Sequence, residues 1–234
     1  MTLADARADL KRRRNAKKAK TLQRFFKTGP GEYAEGDKFL GVVVPQTRQV
    51  AKKFSSLSLK DALTLLKSPW HEERLLALFL LVARYRAEPK ERPTIYKAYL
   101  GHTRYINNWD LVDSSAEHIV GPYLSGRPKA PLKRLARSKS LWERRIAVIA
   151  TFHYIKHNEF DETLALAKQL LTDEEDLIHK AVGWMLREVG KRDLPKLDKF
   201  LRIHCRTMPR TMLRYAIEKH PPARRRAYLS GQIH

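Results

Sequence analysis

The sequence predicts an all-α protein, a curved solenoid built from stacked two-helix repeats. Apolar residues recur at three- and four-residue spacing along most of the chain, which is the pattern of one buried helix face. Glycine and proline interrupt this pattern at short intervals, and similar stretches return at a regular distance. Stacked helical pairs of this kind form a concave surface that suits an extended ligand.

The first elements are a basic N-terminal helix over about residues 1–20 and a short β-branched run. The helix carries the basic cluster 11–20, which either grips a polyanion or lies in solvent. The segment has acidic residues, then basic ones and no apolar stretch, so we do not interpret it as a signal peptide. The run "FLGVVVP" (39–45) is the one candidate strand, and Pro45 ends it after a few residues. We therefore expect almost no β-structure.

Five related stretches indicate the repeats. "SPWHEERLLALFLL" (68–81) and "SKSLWERRIAVIAT" (138–151) share a tryptophan, a Glu-rich turn, an arginine and an apolar run. More divergent copies are "NWDLVDSSAEHIV" (108–120), "EDLIHKAVGWMLRE" (175–188) and "RTMPRTMLRYAIEK" (206–219). The second helices of the repeats then begin near 70, 108, 142, 176 and 210, roughly 33 to 38 residues apart, close to the period of two-helix repeats. Shorter first helices are predicted over 59–68, 130–138 and 160–171. The alternative is an irregular helical bundle with accidental similarities.

The length of the chain, 234 residues, allows a proper hydrophobic core. We expect a single domain over 1–234 that ends in a short basic tail at about 221–234. Cys205 is the single cysteine, which excludes a disulfide framework, a cysteine zinc site and an iron–sulfur cluster. The histidines show no metal-ligand spacing shared with carboxylates, so we predict neither a metal nor another cofactor.

The charge of the chain predicts a polyanionic partner. There are 47 Lys and Arg against 25 Asp and Glu, a formal net charge of +22. Nucleic acid is the commonest polyanion in a cell. An anionic membrane is the competing partner, but the longest apolar run, residues 75–83, is too short to span a bilayer. A charge that only keeps a protein-interaction scaffold soluble is the third interpretation.

The stretch "YINNWDLVDSS" (105–115) places two carboxylates beside an indole at a predicted helix start. An asparagine at 107 or 108 suits the N-cap, and Asp110 then lies in the first turn, where the helix dipole favours an anion. Asp113 lies one turn further on, on the same face as Trp109. Next to a phosphate backbone such an anion opposes binding, so it suits the stabilisation of a positive charge that appears during a reaction. The alternative is structural: the indole packs between helical pairs and Asp113 meets an arginine.

Three motifs make the sequence similar to a known family. They are "NWDLVDS", which matches Trp-Asp-x-Val-Asp-Ser, "LWERRIAVI", in which an arginine precedes an apolar run, and "IHKAVGWMLREVGK", which matches Lys-Ala-Ile/Val-Gly-Trp-x-Leu-Arg-Glu. The stretch "GDKFLGVVVPQTRQVAKKF" (36–54) adds Phe-Leu-Gly-Val/Ile before a proline-started helix. From about residue 20 to residue 220 the chain resembles the AlkD-type HEAT-like-repeat alkylpurine DNA glycosylases of DNA alkylation repair. The resemblance implies that the predicted solenoid consists of HEAT-like repeats.

The resemblance also implies roles for individual residues. Asp113 would be the catalytic carboxylate, and Trp109 and Trp184 would be aromatic walls that hold the sugar of the damaged nucleotide. Arg145 would hold the DNA backbone near the lesion. The family has a tyrosine where this chain has Phe25, so the ring is kept and any hydrogen bond of the hydroxyl group is lost.

Other side chains are candidates for DNA contacts, and a solvated helix edge is the alternative for each of them. These candidates are Lys180, Arg187, Arg48, Lys52 and Arg210. Glu117 lies four residues after Asp113 and is either a second carboxylate of the site or a salt-bridge partner.

We therefore expect a monomeric, monofunctional DNA glycosylase that hydrolyses the N-glycosidic bond of N3- or N7-alkylated purines in duplex DNA, as part of base excision repair. Such a base is already cationic and leaves without a general acid, so one well-placed carboxylate suffices. A lyase step is not expected. We predict no membrane and no obligate protein partner, and a cytoplasmic location on the nucleoid. The alternative is a non-catalytic HEAT-repeat protein that binds nucleic acid through the same basic groove.

Overall fold

The computed structural model describes residues 1–232. Its described part consists of helices and turns without a strand, and its isolated β-bridge joins Lys38 and Trp70, so the all-α prediction is confirmed. Short 3-10 turns occur at Pro89–Glu91 and Thr103–Tyr105. Within the described residues, none of the helices is both long and apolar enough to cross a membrane. The helices are α1 (Leu3–Arg12), α2 (Ala16–Phe25), α3 (Val44–Lys53), α4 (Leu59–Leu66), α5 (His71–Ala87), α6 (Arg92–Gly101), α7 (Trp109–Asp113), α8 (Ala116–Leu124), α9 (Ala130–Leu135), α10 (Leu141–Ala150), α11 (Phe152–Lys156), α12 (Asp161–Gln169), α13 (Asp176–Gly190), α14 (Leu194–His204), α15 (Arg210–Ala216) and α16 (Pro222–Ser230).

Several helices begin at residues that satisfy their free backbone N–H groups. Thr2 and Ser58 form capping boxes with Asp5 and Asp61, in which side chain and backbone exchange hydrogen bonds. Pro45 lies in the first turn of α3, where its missing N–H group costs nothing. These helix starts are therefore specified by residues next to them in the sequence.

The chain divides into two compact units, an N-terminal unit (Met1–Ser115) and a C-terminal unit (Ala116–His234). The single-domain organisation over 1–234 stays a prediction. In the N-terminal unit, α5 is the central helix and packs against α3 and α4. Almost every side chain of α5 is buried because α5 has apolar residues all round, such as Leu76 and Leu78 at 0% exposure. The segment 1–20, predicted as one helix, contains α1 and the first half of α2, since Asn15 caps a second helix.

The C-terminal unit is a series of helices that pack side by side. The helices α8, α10, α13 and α15 follow one another in this order, each against the next. The shorter α9 lies against α10, while α12 and α14 lie against α13. Buried apolar side chains such as Ile146 and Met185 fill the space between them. Each short helix thus precedes a helix that extends the series, as expected of two-helix repeats.

The helix positions predicted from the sequence are confirmed. The second helices were expected near 70, 108, 142, 176 and 210, and α5, α7, α10, α13 and α15 begin at His71, Trp109, Leu141, Asp176 and Arg210. The predicted first helices correspond to α4, α9 and α12. The apolar periodicity specifies these helices because one face of each must be buried.

The β-branched run at 39–45 does not form a strand. The backbone N–H groups of Leu40, Gly41 and Val42 donate to the carboxylate of Glu72 at 2.9, 2.8 and 3.1 Å. Gly41 has φ 83°, and a Cβ atom there would lie 2.1 Å from the carbonyl oxygen of Asn15. A single buried carboxylate therefore replaces the neighbouring strand that this segment would otherwise need.

One glycine allows two helices of the C-terminal unit to approach each other closely. A Cβ atom on Gly183 in α13 would lie 2.5 Å from the carbonyl oxygen of Met212 in α15. It would lie equally close to the Cβ atom of Tyr215. The backbones of α13 and α15 can touch only because position 183 has no side chain.

The predicted basic tail over 221–234 is largely a helix, α16. Asp198 in α14 bonds Nε2 of His220 at 3.0 Å and accepts hydrogen bonds from Arg224 at 2.5 Å and the buried hydroxyl of Tyr228 at 2.8 Å. These contacts anchor α16 to α14. The last two residues of the predicted tail lie outside the described residues.

Candidate functional site

The motif predicted to carry the site forms α7 and the turn before it. Asn108 is fully buried and caps the helix by accepting a hydrogen bond from the N–H group of Trp109 at 2.8 Å. This contact confirms the N-cap predicted at 107 or 108. Asp110 lies in the first turn, as expected, and Asp113 is the last residue of the helix. Trp109 and Asp113 are therefore one turn apart on a helix of only five residues.

Aromatic rings surround Trp109 within the N-terminal unit. Phe25, the last residue of α2, meets the half-buried indole edge-on, with ring centroids 5.7 Å apart. Phe26 stacks on the indole at 5.1 Å and on Phe39 at 5.2 Å. Phe25 is 61% exposed whereas Phe26 is 7% exposed. Of the two neighbouring phenylalanines, Phe25 thus presents a ring to solvent beside Trp109, and Phe26 supports the indole from the core.

Asp113 is half-buried, so part of this residue is accessible to solvent. Its neighbour Tyr99 is fully buried and shares a hydrogen bond with the hydroxyl group of Ser115 at 2.8 Å. Burial raises the pKa of the Tyr99 hydroxyl, and the negative charge of Asp113 raises it further against the effect of Ser115. Tyr99 therefore stays neutral at physiological pH, and Asp113 provides the negative charge at this end of α7.

Asp110 belongs to a buried charged network, which we call the His71 network. Its Oδ2 atom bonds Nε2 of His71 at 2.8 Å, and its Oδ1 atom accepts from the N–H group of Leu111 at 2.9 Å. Nδ1 of His71 faces Oδ2 of Asp37 at 3.4 Å, and Arg74 donates to the same oxygen at 2.6 Å. Burial lowers the pKa of His71, but the charge and hydrogen bond of Asp110, with the hydrogen bond of Asp37, outweigh it and raise the pKa to about 9. Asp110 therefore has structural partners in addition to the helix dipole.

The predicted residues Arg145 and Trp184 lie in the C-terminal unit, on α10 and α13. Arg145 is 5% exposed, and its Nη1 atom donates to the carbonyl oxygen of Leu177 at 2.6 Å. Trp184 is half-buried and meets Phe152 edge-on, with ring centroids 5.7 Å apart. The ammonium group of Lys156 lies 4.4 Å from the centre of the Phe152 ring. This unit thus contributes an aromatic pair, while the contact of Arg145 with DNA stays a prediction.

Glu117 is a salt-bridge partner, as one of its two interpretations predicted. Its carboxylate is 8% exposed and pairs with the ammonium group of Lys156. Lys156 is thereby held between an acidic group and the ring of Phe152. A paired and buried carboxylate is poorly placed to serve as a second acid or base of the site.

The basic candidates of the C-terminal unit all have protein partners. Lys180 pairs with Asp176 at 2.7 Å, one turn away on α13. Arg187 pairs with Glu218. Arg210 is exposed, and its Nη1 atom donates to the carbonyl oxygen of Leu229 at 2.7 Å. Each of them must rearrange or share its donors if it is to contact a phosphate.

The basic candidates of the N-terminal unit lie on α3 and are exposed. The guanidinium group of Arg48 lies 4.4 Å from the centre of the Phe79 ring. Lys52 lies one turn further along α3 and is exposed. The next residue, Lys53, is tied to Asp9 at 2.8 Å. Arg48 and Lys52 therefore present positive charge on one face of α3.

Comparison with known proteins identifies the family. The sequence matches the family described as "DNA alkylation repair enzyme" over residues 6–220. The chain belongs to this family. No curated protein matches it significantly. A solved structure described as "Predicted DNA alkylation repair enzyme from Enterococcus faecalis" is similar to it with a TM-score of 0.69 at 16% identity, over 90% of this chain and 98% of that chain. At this identity the likeness shows a shared fold.

Membership of the DNA alkylation repair enzymes confirms the resemblance inferred from the three sequence motifs. It assigns the protein a role in the repair of alkylated DNA, with DNA as its substrate. The net charge of +22 suits that substrate.

Sequence reasoning missed two parts of this DNA alkylation repair enzyme. The sequence does not single out His71 and Asp37, because both lie among other charged residues. Their contacts join residues 34 and 39 positions apart, which spacing in one sequence does not reveal. Phe152 was also missed as the neighbour of Trp184. Within residues 1–232, no group of three or more His, Cys, Asp and Glu side chains is arranged to hold a metal ion.

Proposed function

We propose that the protein is a monofunctional DNA glycosylase that hydrolyses the N-glycosidic bond of cationic N3- or N7-alkylated purines in duplex DNA. The observation that carries the proposal is the position of Asp113. The half-buried residue Asp113 ends a short helix whose first residue, Trp109, contacts the exposed ring of Phe25. A chain that only binds a polyanion gains nothing from a fixed anion beside an aromatic surface.

The chemistry of the substrate suits a site with one such carboxylate. Alkylation at N3 or N7 gives the purine a positive charge, so the base takes the electron pair of the glycosidic bond and leaves as a neutral molecule. The sugar is left with oxocarbenium-like character, and water adds to C1′ with loss of a proton. Asp113 stabilises the positive charge that moves onto the sugar and orients this water molecule. No general acid is required, because the leaving group is already cationic.

Aromatic rings take the second role in the proposal. The face of an indole is negative and attracts a cationic nucleotide, most strongly where water is excluded. Trp109 in the N-terminal unit and Trp184 in the C-terminal unit are the proposed aromatic walls. Arg145 is proposed to hold the DNA backbone. The remaining proposed backbone contacts are those of Lys180, Arg187, Arg48, Lys52 and Arg210.

The decisive experiment measures release of 7-methylguanine from methylated duplex DNA. We expect Asp113→Asn to reduce release to the uncatalysed rate, because an amide cannot stabilise a cation as an ionised carboxylate does. DNA affinity should hold or rise, since a negative charge near phosphates is removed. Asp61→Asn is the matched control: it makes the same change from carboxylate to amide at the N3 position of α4, in the capping box of Ser58, and should leave release unchanged.

Other outcomes of the same assay would favour other functions. Full activity of the Asp113 variant would remove the proposed mechanism. Absence of base release by the wild-type protein, with tight DNA binding retained, would favour a non-catalytic nucleic-acid-binding protein. Trapping of a covalent DNA adduct by borohydride would contradict the monofunctional assignment, because hydrolysis forms no Schiff base. We also propose that the protein acts as a monomer and without a cofactor, in the cytoplasm at the nucleoid.

A further inference from the structure

His71 is a buried ionisable group that the proposed reaction does not use. Its side chain is 2% exposed, and it is the first residue of α5. One ring nitrogen faces Asp110 in α7 and the other faces Asp37 in the loop before α3. The imidazole therefore joins three segments of the N-terminal unit that are distant in sequence.

The geometry favours the doubly protonated form of this ring. A neutral imidazole has one donor and one acceptor nitrogen, whereas the imidazolium ion donates from both. Both nitrogens of His71 face carboxylate oxygens, at 2.8 and 3.4 Å, and carboxylates accept but do not donate. The pKa of about 9 agrees with this assignment.

The charged groups around His71 balance one another. Asp110 approaches from α7 and Asp37 from the loop before α3, while Arg74 on α5 itself donates to Asp37. Asn107 also donates to Asp37, at 3.3 Å. Two carboxylates thus face one guanidinium and one imidazolium group, so loss of the His71 proton leaves an unbalanced negative charge in a buried place.

The contact with Asp110 controls the start of α7. Asp110 is the second residue of this helix, and both of its carboxylate oxygens are bonded. A helix of five residues has too few internal hydrogen bonds to keep its own position and depends on tertiary contacts. Ring contacts also connect His71 to α7. The ring of His71 lies 5.0 Å from that of Phe26, which stacks on Trp109, the first residue of α7.

We propose that His71 is a positioning residue: its imidazolium group ties Asp110 to Asp37 and thereby fixes the orientation in which α7 presents Trp109 and Asp113. The effect of His71 on catalysis rests on the proposed glycosylase function. The structural part of the inference concerns the free protein alone and can be tested without substrate.

The first test follows the His71 ring in the wild-type protein by nuclear magnetic resonance between pH 5 and 10. We expect the ring to remain protonated at neutral pH and to titrate near pH 9. In Asp110→Asn, which keeps an acceptor oxygen but removes the charge, the titration should move toward lower pH. Titration of the wild-type ring near its ordinary value of about 6.5 would overturn the proposal.

The second test measures the single-turnover rate of 7-methylguanine release at saturating protein and, separately, the Kd for DNA. We expect His71→Gln to slow release about 10- to 100-fold, because small misplacements of reacting groups have effects of this size. The Kd should change less than about two-fold, since the buried ring does not face DNA. Above pH 9 the wild-type rate should fall and the variant rate should not. A wild-type rate in the variant would contradict the proposal.

The control is His220→Gln, which removes a second buried histidine–aspartate pair in the C-terminal unit. It should lower the melting temperature but leave the release rate of the folded protein unchanged. An equal loss of rate in both variants would reduce His71 to a structural role.

A third measurement separates failure of this inference from failure of the proposed function. If the wild-type protein releases no base, the indole N–H resonance of Trp109 still reports the position of α7. His71→Gln should shift or broaden this resonance and leave that of Trp142 in the C-terminal unit in place. An unchanged Trp109 resonance in the folded variant would overturn the positioning role whatever the activity. If His71→Gln does not fold, Asp110→Asn and the wild-type titration decide.

Discussion

Phe25 and Phe26 are adjacent in the sequence, yet their side chains have different surroundings. Phe25 is 61% exposed and meets Trp109 edge-on. Phe26 is 7% exposed, stacks on Trp109 and Phe39, and lies tilted against His71. A ring that faces solvent beside a candidate catalytic residue is more useful for binding than for folding. We therefore expect the ring of Phe25 to serve binding and the ring of Phe26 to serve packing.

This contrast predicts different effects of removing each ring. We expect Phe25→Ala to cost less than about 1 kcal/mol in the free energy of unfolding, because an exposed side chain loses little burial. It should slow release of 7-methylguanine roughly 10-fold through loss of a ring face for the nucleotide. Phe25→Tyr restores the ring and should restore the rate. The rate is measured in single turnover, and stability is measured by denaturant unfolding.

The control for this prediction is Phe26→Ala. It should cost about 3 to 5 kcal/mol, as truncation of a buried aromatic ring does elsewhere. A Phe25 variant with full activity would show that the exposed ring takes no part in recognition.

Arg145 shows what a single sequence cannot reveal about one residue. The family resemblance implies that Arg145 holds the DNA backbone, whereas its side chain is 5% exposed and donates to the carbonyl oxygen of Leu177. The periodicity that identifies the buried face of a helix does not specify where a long side chain at its edge ends. Asp113 was easier to place, because helix spacing alone puts it one turn after Trp109.

The segment 40–42 between α2 and α3 shows how one side chain organises an irregular element. Three consecutive N–H groups of this segment, those of Leu40, Gly41 and Val42, donate to the buried carboxylate of Glu72. Hydrogen bonds to a charged acceptor are stronger than those between neutral groups. The segment precedes α3, which carries Arg48 and Lys52, so Glu72 also orders one of the basic surfaces.

We expect Glu72→Gln to destabilise the protein by about 2 to 4 kcal/mol. The amide removes the negative charge and turns a donor toward backbone donors, so at least one N–H group loses its partner. The neighbouring variant Glu73→Gln is the comparison, because Glu73 is similarly buried but accepts its hydrogen bond from a side chain, that of Arg7 at 3.0 Å, and not from a row of backbone N–H groups. Its effect should be smaller. Denaturant unfolding of both variants measures the difference, and equal stabilities would contradict the role given to Glu72.

At the level of elements, the sequence was most informative where the signal is local. Capping residues and apolar periodicity predicted the helices to within a few residues, as for α10 and α13. The sequence does not predict the length of α7, because it depends on tertiary contacts. The break between α1 and α2 has a local signal in Asn15, the N-cap of α2, which the prediction of one helix over 1–20 did not use. The His71 network could not be predicted either, because its members meet only after the chain has folded.

The whole molecule carries a large excess of positive charge, +22, and belongs to a family of DNA repair enzymes. Neutralisation of phosphates releases counterions, so DNA affinity should fall steeply as salt rises. We do not expect every lysine to contribute equally to DNA binding. Lys52 is exposed, while the hydrogen bonds of Lys53 and Arg13 to Asp9 hold the pKa of that carboxyl down to about 2.

This difference gives a paired prediction for Lys52 and Lys53. We expect Lys52→Gln to reduce the slope of log affinity against log salt by about 0.9, the value for one phosphate contact. Lys53→Gln should change the slope less, because its ammonium group is held by Asp9 at 2.8 Å. Binding to an undamaged duplex is measured by fluorescence anisotropy between low and moderate salt. Equal slopes for Lys52→Gln and the wild type would remove Lys52 from the DNA-binding surface.

The contact between α13 and α15 has a consequence for how this protein can change during evolution. Trp184, a proposed wall of the substrate site, follows directly after Gly183, whose missing side chain lets the two helices touch. A single added methyl group at position 183 would meet the backbone of α15 and push the neighbouring indole out of place. Variation that adapts the protein to new lesions is therefore expected on the exposed rings, while this buried glycine is expected to stay unchanged.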